Sequence, residues 1–164
     1  MAYDFYMGSL LLPVPPEAMT TKVNGRNTTV TLINDGEVSV LRDPGLTDIQ
    51  FSILLPNVRY PFAKYPNGFE RADGYLDFFE RVMRDKEPFQ FIVSRCMPTG
   101  ALLFDTNTKV TLEGYTIKEK AHETGFDLMV DIALKQYRPY ATKTFTVDTP
   151  LPEAPVIVED VRPP

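Results

Sequence analysis

The sequence predicts a mainly β fold of the α+β kind, with one flanking helix and a proline-rich C-terminal arm. Three observations carry that prediction. Apolar and polar residues alternate with a period of two over most of the chain, one segment switches to helical spacing, and prolines punctuate everything after Val147.

The elements follow in chain order. Thr20 to Val23 and Asn27 to Ile33 flank Asn24-Gly25, a dipeptide suited to the positive φ angles of a tight hairpin turn. In the second arm Thr28, Val30 and Leu32 share one face, while Thr29, Thr31 and Ile33 share the other. Asn34-Asp35-Gly36 turns the chain again into Glu37 to Leu41, so a meander is expected here. Asp43-Pro44-Gly45 breaks the pattern, because proline presets one turn angle and glycine tolerates the next. Leu46 to Leu55 is another strand, with Ile49, Phe51 and Ile53 on one side; Pro56 ends it. Residues 56–71 hold four aromatics, Tyr60, Phe62, Tyr65 and Phe69, among three prolines and Gly68. They predict a long ordered loop fastened by its rings.

Tyr75, Phe78, Phe79, Val82 and Met83 recur at the spacing of a single helical stripe. The predicted helix spans residues 73–86, about 21 Å at 1.5 Å per residue. Asp73 is its expected N-cap, Asp77 and Arg81 can pair one turn apart, and Pro88 blocks continuation. Strands are then expected at Phe89 to Val93, Lys109 to Lys118 and Phe126 to Leu134. Cys96 to Gly100 and Lys120 to Gly125 serve as turns.

A chain of 164 residues fits one folded unit, able to bury roughly two-thirds of its unfolded surface. The boundaries read from composition are a β domain over residues 1–146 and an extended arm over 147–164. Proline in the arm cannot donate to a ladder, so no core is expected there. The net charge is −5, from 22 acids against 17 bases, which argues against a grip on duplex nucleic acid. Met1-Ala2-Tyr3-Asp4 carries no basic leader, and no apolar run follows that could enter a membrane, so synthesis in a cytoplasm is expected.

Catalytic and metal chemistry find little support. His122 is the one histidine and Cys96 the one cysteine, with no ligand-spaced cluster around either. Ser94 and Cys96 lie far along the chain from His122, so no nucleophile–base pair is indicated. Asp127 and Asp131 fall on one predicted strand face and are the best carboxylate pair, but such pairs are common in soluble proteins. The expectation is a protein without enzymatic activity, metal or cofactor. Many strands leave edges, and uncovered edges pair with other chains.

Specific strings support an assembly role. Leu10-Leu11-Leu12-Pro13-Val14-Pro15-Pro16, Thr21 to Val30, Gly36-Glu37-Val38 and Pro44 to Phe51 come in that order. They are followed by Leu55-Pro56 through Tyr60-Pro61-Phe62, Pro88 to Val93, and Leu134 to Tyr140. Over residues 9–141 the chain resembles the N-terminal domain of LysM-bearing (XkdP-like) tail proteins of PBSX-like prophages, contractile phage tails and phage-tail-like bacteriocins. The resemblance implies a tube-like β-barrel that stacks in rings, six-fold in many such assemblies. It implies an adaptor role in a virion tail or baseplate, joining the tail tube to the hub and spike. No LysM module follows Val147, which leaves the adaptor role as the main expectation and direct peptidoglycan or carbohydrate binding as the alternative. The expected contact residues are Asn24, Gly25 and Arg26 at the first turn, and Tyr60, Phe62, Tyr65 and Phe69 in the aromatic loop. Pro150, Pro152 and Pro155 in the arm complete the set, the arm draping over a neighbour. Under the alternative, Tyr60, Tyr65 and Phe69 would stack against sugar rings.

Overall fold

In the computed structural model the residues described are 3–33, 36–119, 122 and 124–140. The strands are β1 (Tyr3–Met7), β2 (Leu10–Leu11), β3 (Met19–Val23), β4 (Thr28–Leu32), β5 (Gly36–Val40), β6 (Thr47–Leu55), β7 (Phe89–Arg95), β8 (Thr106–Lys118) and β9 (Leu128–Gln136). One helix, α1 (Ala72–Asp85), lies between β6 and β7. Seven strands form one antiparallel sheet in the order β2-β1-β7-β8-β9-β6-β3, and β4 and β5 form a separate two-stranded sheet.

The large sheet is strongly curled. Phe5 on β1 and Phe51 on β6 stand four strand positions apart, a separation of about 19 Å if the sheet were flat at roughly 4.8 Å per strand. Their ring centroids are 6.3 Å apart, and Phe91 of β7 stacks on Phe51 at 5.5 Å. The inward face of every long strand is apolar because of the two-residue period: Ile49, Phe51, Ile53 and Leu55 on β6 alternate with more exposed neighbours. Val130, Ile132 and Leu134 do the same on β9. Each such side chain contributes about 1.5–3 kcal/mol of burial, so this barrel-like core is the main source of stability.

A β-bulge between Leu112 and Gly114 decides how the helix is seated. An unbroken alternation from Val110 would aim Tyr115 outward. The extra residue, Glu113, resets the parity, so Tyr115 pairs with Ile132 on the inner face and meets Phe79 of α1 at 5.6 Å. Phe79, Tyr75 and Ala72 are all buried, and α1 thereby closes one end of the curled sheet.

Several expectations are corrected. Asn24-Gly25 is not the turn of a hairpin: β3 pairs with β6 from Met19↔Phe51 to Val23↔Thr47, and β4 pairs with β5. Gly25 does not adopt positive φ, while Gly36 does at 76°. The physical reason is competition for the edge of β6. The β6 backbone is already anchored to β9, so docking β3 there extends a sheet over the core, which pairing with β4 could not do. Residues 24–27 are thus a crossover, held by Asn24 Nδ2 donating to Asp48 Oδ2 at 2.9 Å and by Gly45 N–H donating to the Asn24 carbonyl at 2.7 Å.

Asp73 is not the N-cap of α1. Arg71 occupies that position without a side-chain cap, and the first helical N–H, of Ala72, donates to Asn57 Oδ1 at 3.2 Å from the preceding loop. The helix ends at Lys86, in the left-handed region at φ 54°, whose N–H donates to Val82. Arg81 lies over the Phe78 ring at 5.5 Å instead of pairing with Asp77. β1 and β2 have no counterpart in the sequence reading, and β8 starts three residues before its expected position. β9 starts after Phe126, which is exposed. The arm from residue 147, with Pro150, Pro152 and Pro155, lies outside the described residues.

Candidate assembly surfaces

The strand directions sort the surface into two ends. α1, the start of the 56–71 loop and the end of β8 occupy the closed end, and Lys64 in the middle of that loop reaches back along the barrel to pair with Asp4 of β1. The other end, the open end, carries the start of β1, the end of β7, the exit of β9 and the β4–β5 hairpin, which is inserted between β3 and β6.

The hairpin is the most unusual feature. Every residue of β4 and β5 is exposed, so the hairpin is not packed on its own barrel. Its register places Val30 opposite Val38, Thr28 opposite Val40 and Leu32 opposite Gly36. Directly opposed residues share a face, so Val30, Leu32, Val38 and Val40 form one apolar surface, 43, 42, 44 and 42% exposed. The other face carries Thr29, Thr31, Glu37 and Ser39. An isolated two-stranded hairpin is marginal in water, and this one is amphipathic with its apolar side uncovered. Periodicity announced those strands; it did not announce that they would leave the main sheet.

At the closed end the aromatic loop is tied down by one buried carboxylate. Asp127, 5% exposed, accepts the Asn57 N–H at 2.8 Å on Oδ1 and the Tyr60 hydroxyl at 2.6 Å on Oδ2. That hydrogen bond, with some burial and the nearby negative charge, pushes the Tyr60 phenol above its ordinary pKa. Asn57 links the loop to both neighbours, donating through Nδ2 to the Phe126 carbonyl at 2.7 Å and accepting from α1. Tyr60 stacks on Phe62 at 5.0 Å, and Tyr65 meets Phe69 edge-on at 5.3 Å with planes 84° apart. The rings therefore form two pairs and not a single flat platform, which does not favour sugar stacking. Asn57 and Asp127 went unrecognised as loop anchors, since nothing local in the sequence marks a bond across 70 residues.

The side-chain pairs weighed as reactive from the sequence lie apart in the fold. Asp127 precedes β9 and is spent on the loop. Asp131 instead accepts from Ser52 at 2.5 Å and pairs with Lys118 at 2.5 Å on the outer face, which holds its carboxyl below the ordinary range. Cys96 lies beyond the end of β7 at the open end, whereas His122 is exposed in the β8–β9 connection at the closed end. Among the described residues no group of three or more His, Cys, Asp or Glu side chains could hold a metal ion, and no helix is long and apolar enough to cross a membrane.

The fold defines a class. Solved structures similar to this chain are components of contractile injection systems, so the mainly β architecture is that of the tube- and cap-like proteins of such particles. The sheath–tube complex of the PVC extracellular contractile injection system matches with a TM-score of 0.57 at 12% identity, over 84% of this chain and 85% of that one. The tube-terminating cap of the anti-feeding prophage matches at 0.55 and 11% identity, over 84 and 85%. A baseplate protein of the anti-feeding prophage matches at 0.55 and 7% identity, over 83 and 87%. In sequence, the chain is 28% identical over 140 residues to YqbP of Bacillus subtilis strain 168, an uncharacterised protein. The match takes in 83% of this chain and 59% of YqbP, so the chain spans less than two-thirds of that relative. No family model matches.

Proposed function

We propose that this chain is a non-enzymatic structural subunit of a contractile tail or phage-tail-like bacteriocin, an adaptor joining the tail tube to the baseplate hub and spike. The observation that carries the reading is the β4–β5 hairpin, whose apolar face has no partner among the described residues. Support also comes from the fold, shared with sheath–tube, cap and baseplate components. In this reading identical copies form a ring, each hairpin lying against the next subunit or the adjoining tube protein, so the same pair of patches recurs around the axis. The six-fold symmetry of the similar baseplate structure favours six copies. The aromatic loop, rigid through Asp127 and carrying exposed Phe62 and Phe69, is the proposed contact toward the hub. The kinship with LysM-bearing, XkdP-like tail proteins belongs to the same proposal.

The test is the mass of the purified protein alone and after mixing with tube and hub proteins of the same particle. A stable complex containing several copies is expected. A chain that stays monomeric in all mixtures, or that sediments with purified peptidoglycan, overturns the adaptor role.

A further inference from the structure

Two apolar surfaces stand uncovered among the described residues, and both lie at the open end. One is the hairpin face of Val30, Leu32, Val38 and Val40. The other is the connection from β7 to β8, where Leu102, Leu103 and Phe104 follow one another 58, 49 and 62% exposed, with Met97 beside them. Three consecutive side chains cannot share one strand face, so these residues make a blunt apolar tip. Contiguous apolar surface of this kind marks an interaction site more often than a chance exposure.

The tip is held in shape. The Met97 N–H donates to the Ala101 carbonyl at 2.8 Å, the Gly100 N–H to the Met97 carbonyl at 2.9 Å, and the Leu103 N–H to the Arg95 carbonyl at 2.8 Å. Gly100 supplies the positive φ, 85°, that the turn requires. Arg95, itself buried, donates through Nη1 to Thr106 Oγ1 at 2.8 Å and lays its guanidinium on the Phe104 ring at 4.3 Å. The base of the β4–β5 hairpin is fixed in a similar way. The Arg42 N–H donates to Asn27 Oδ1 at 3.1 Å, and Arg138 Nη1 donates to the Pro44 carbonyl at 3.3 Å. Both surfaces are thus displayed by a fixed backbone.

Their positions are complementary. The hairpin connects β3 to β6 and the tip connects β7 to β8, three strand positions apart in a curled sheet of seven, so they project from nearly opposite flanks of the barrel. Their charges are complementary too. Arg26 and Arg42 flank the base of the hairpin with one acid, Asp43, next to them, whereas Asp105 directly follows Phe104. All four are exposed, and none has an ion-pair partner among the described residues.

We infer that the hairpin of one copy seats its apolar face on the 97–104 tip of the next copy, with Arg42 facing Asp105. The contact rests on the proposed ring of identical copies and names its two halves. A donor patch and an acceptor patch on opposite flanks make a head-to-tail contact. Because both lie at the same end, rotation about an axis along the barrel keeps them level, and the contact closes into a ring instead of a stack. Pairing of two hairpins face to face leaves the tip uncovered and stops at two copies.

The test is disulfide trapping in the complex with tube and hub proteins of the same particle. In a Cys96→Ser background, Val38→Cys combined with Leu103→Cys is expected to give, on mild oxidation, a series of linked copies of this chain on a non-reducing gel. Neither single variant should give linked copies. Dimers from Val38→Cys alone mean that hairpins meet each other, which overturns the proposal. So does an unlinked chain whose two thiols have been lost, which puts the contact inside one copy. A double variant that enters the complex with both thiols still free overturns it as well, and leaves the adaptor role standing. Charge reversal gives a second readout. Arg42→Asp and Asp105→Arg should each weaken association by roughly two- to fivefold, the range of an exposed ion pair, and their combination should restore it. No restoration overturns the pairing. Trapping repeated on the chain alone at high concentration reads the copy-to-copy contact without tube or hub, so linked copies there, with no complex formed, reject the adaptor role and keep this contact.

Discussion

Replacing Val38 by Asp separates assembly from folding. Val38 sits at the centre of the hairpin's apolar face, opposite Val30. Full burial of a valine or leucine is worth about 1.5–3 kcal/mol, and each of the four side chains still exposes a little over two-fifths of its surface. Covering that remainder is worth about 0.6–1.3 kcal/mol per residue, or roughly 3–5 kcal/mol for the face. An aspartate there forfeits one share and adds an unpaired carboxylate to an apolar contact, costing about 1–3 kcal/mol more. Association should weaken by roughly 15- to 1,000-fold, since 1.4 kcal/mol is tenfold. The barrel should not feel the change, because the hairpin makes none of the core contacts. Sedimentation with the tube and hub proteins reads the first effect, and thermal unfolding monitored by circular dichroism reads the second. A midpoint lowered by more than about 4 °C, roughly 1–2 kcal/mol for a chain of this size, would show that the hairpin packs on its own domain and refute the reasoning. Undiminished association would refute it from the other side.

Phe79→Ala should do the opposite, lowering stability by about 3–5 kcal/mol, because it empties the space between α1 and Tyr115; urea denaturation measures it, and a loss below about 1 kcal/mol would remove the helix from the core. Asp127→Ala leaves the Asn57 N–H and the Tyr60 hydroxyl without their acceptor, so amides of residues 57–71 should exchange faster and stability fall by about 1–3 kcal/mol. In Asp127→Asn, the Tyr60 phenol should titrate closer to its ordinary value, since the carboxylate that raises it is gone; phenolate absorbance follows this. Tyr75 is pushed up to about 12 by burial, then by Glu70 and Tyr65. The folded state favours its neutral form, so this contribution is complete below about pH 10 and is lost as pH rises from there toward 12. Alkaline unfolding should therefore begin above pH 10 and shift in Tyr75→Phe, and an unchanged alkaline limit would exclude Tyr75 as its cause.

The sequence conveyed most of the elements because their signals are local. Ile49, Phe51 and Ile53 alternate whether or not β9 is beside them, and Tyr75, Phe79 and Val82 mark a helical stripe without reference to what covers it. The aromatic loop was legible from its prolines and rings, though its fastening was not. Asn57 and Asp127 act across the chain, and an asparagine after a proline looks like any turn residue. The Asn24-Gly25 turn failed for a related reason. The dipeptide permits a hairpin but does not compel one, and β3 lies better on the free edge of β6.

By itself, then, the sequence determined most of the strand segments, β1 and β2 excepted, and the one helix between β6 and β7. These follow from side-chain period, turn chemistry and composition, all readable within a few residues. Tertiary structure alone decided the partners: that β3 joins β6, that the bulge at Glu113 turns Tyr115 inward, and that the hairpin stands clear. Those outcomes depend on competition among distant surfaces for the same edge or the same core, and no local pattern encodes the winner.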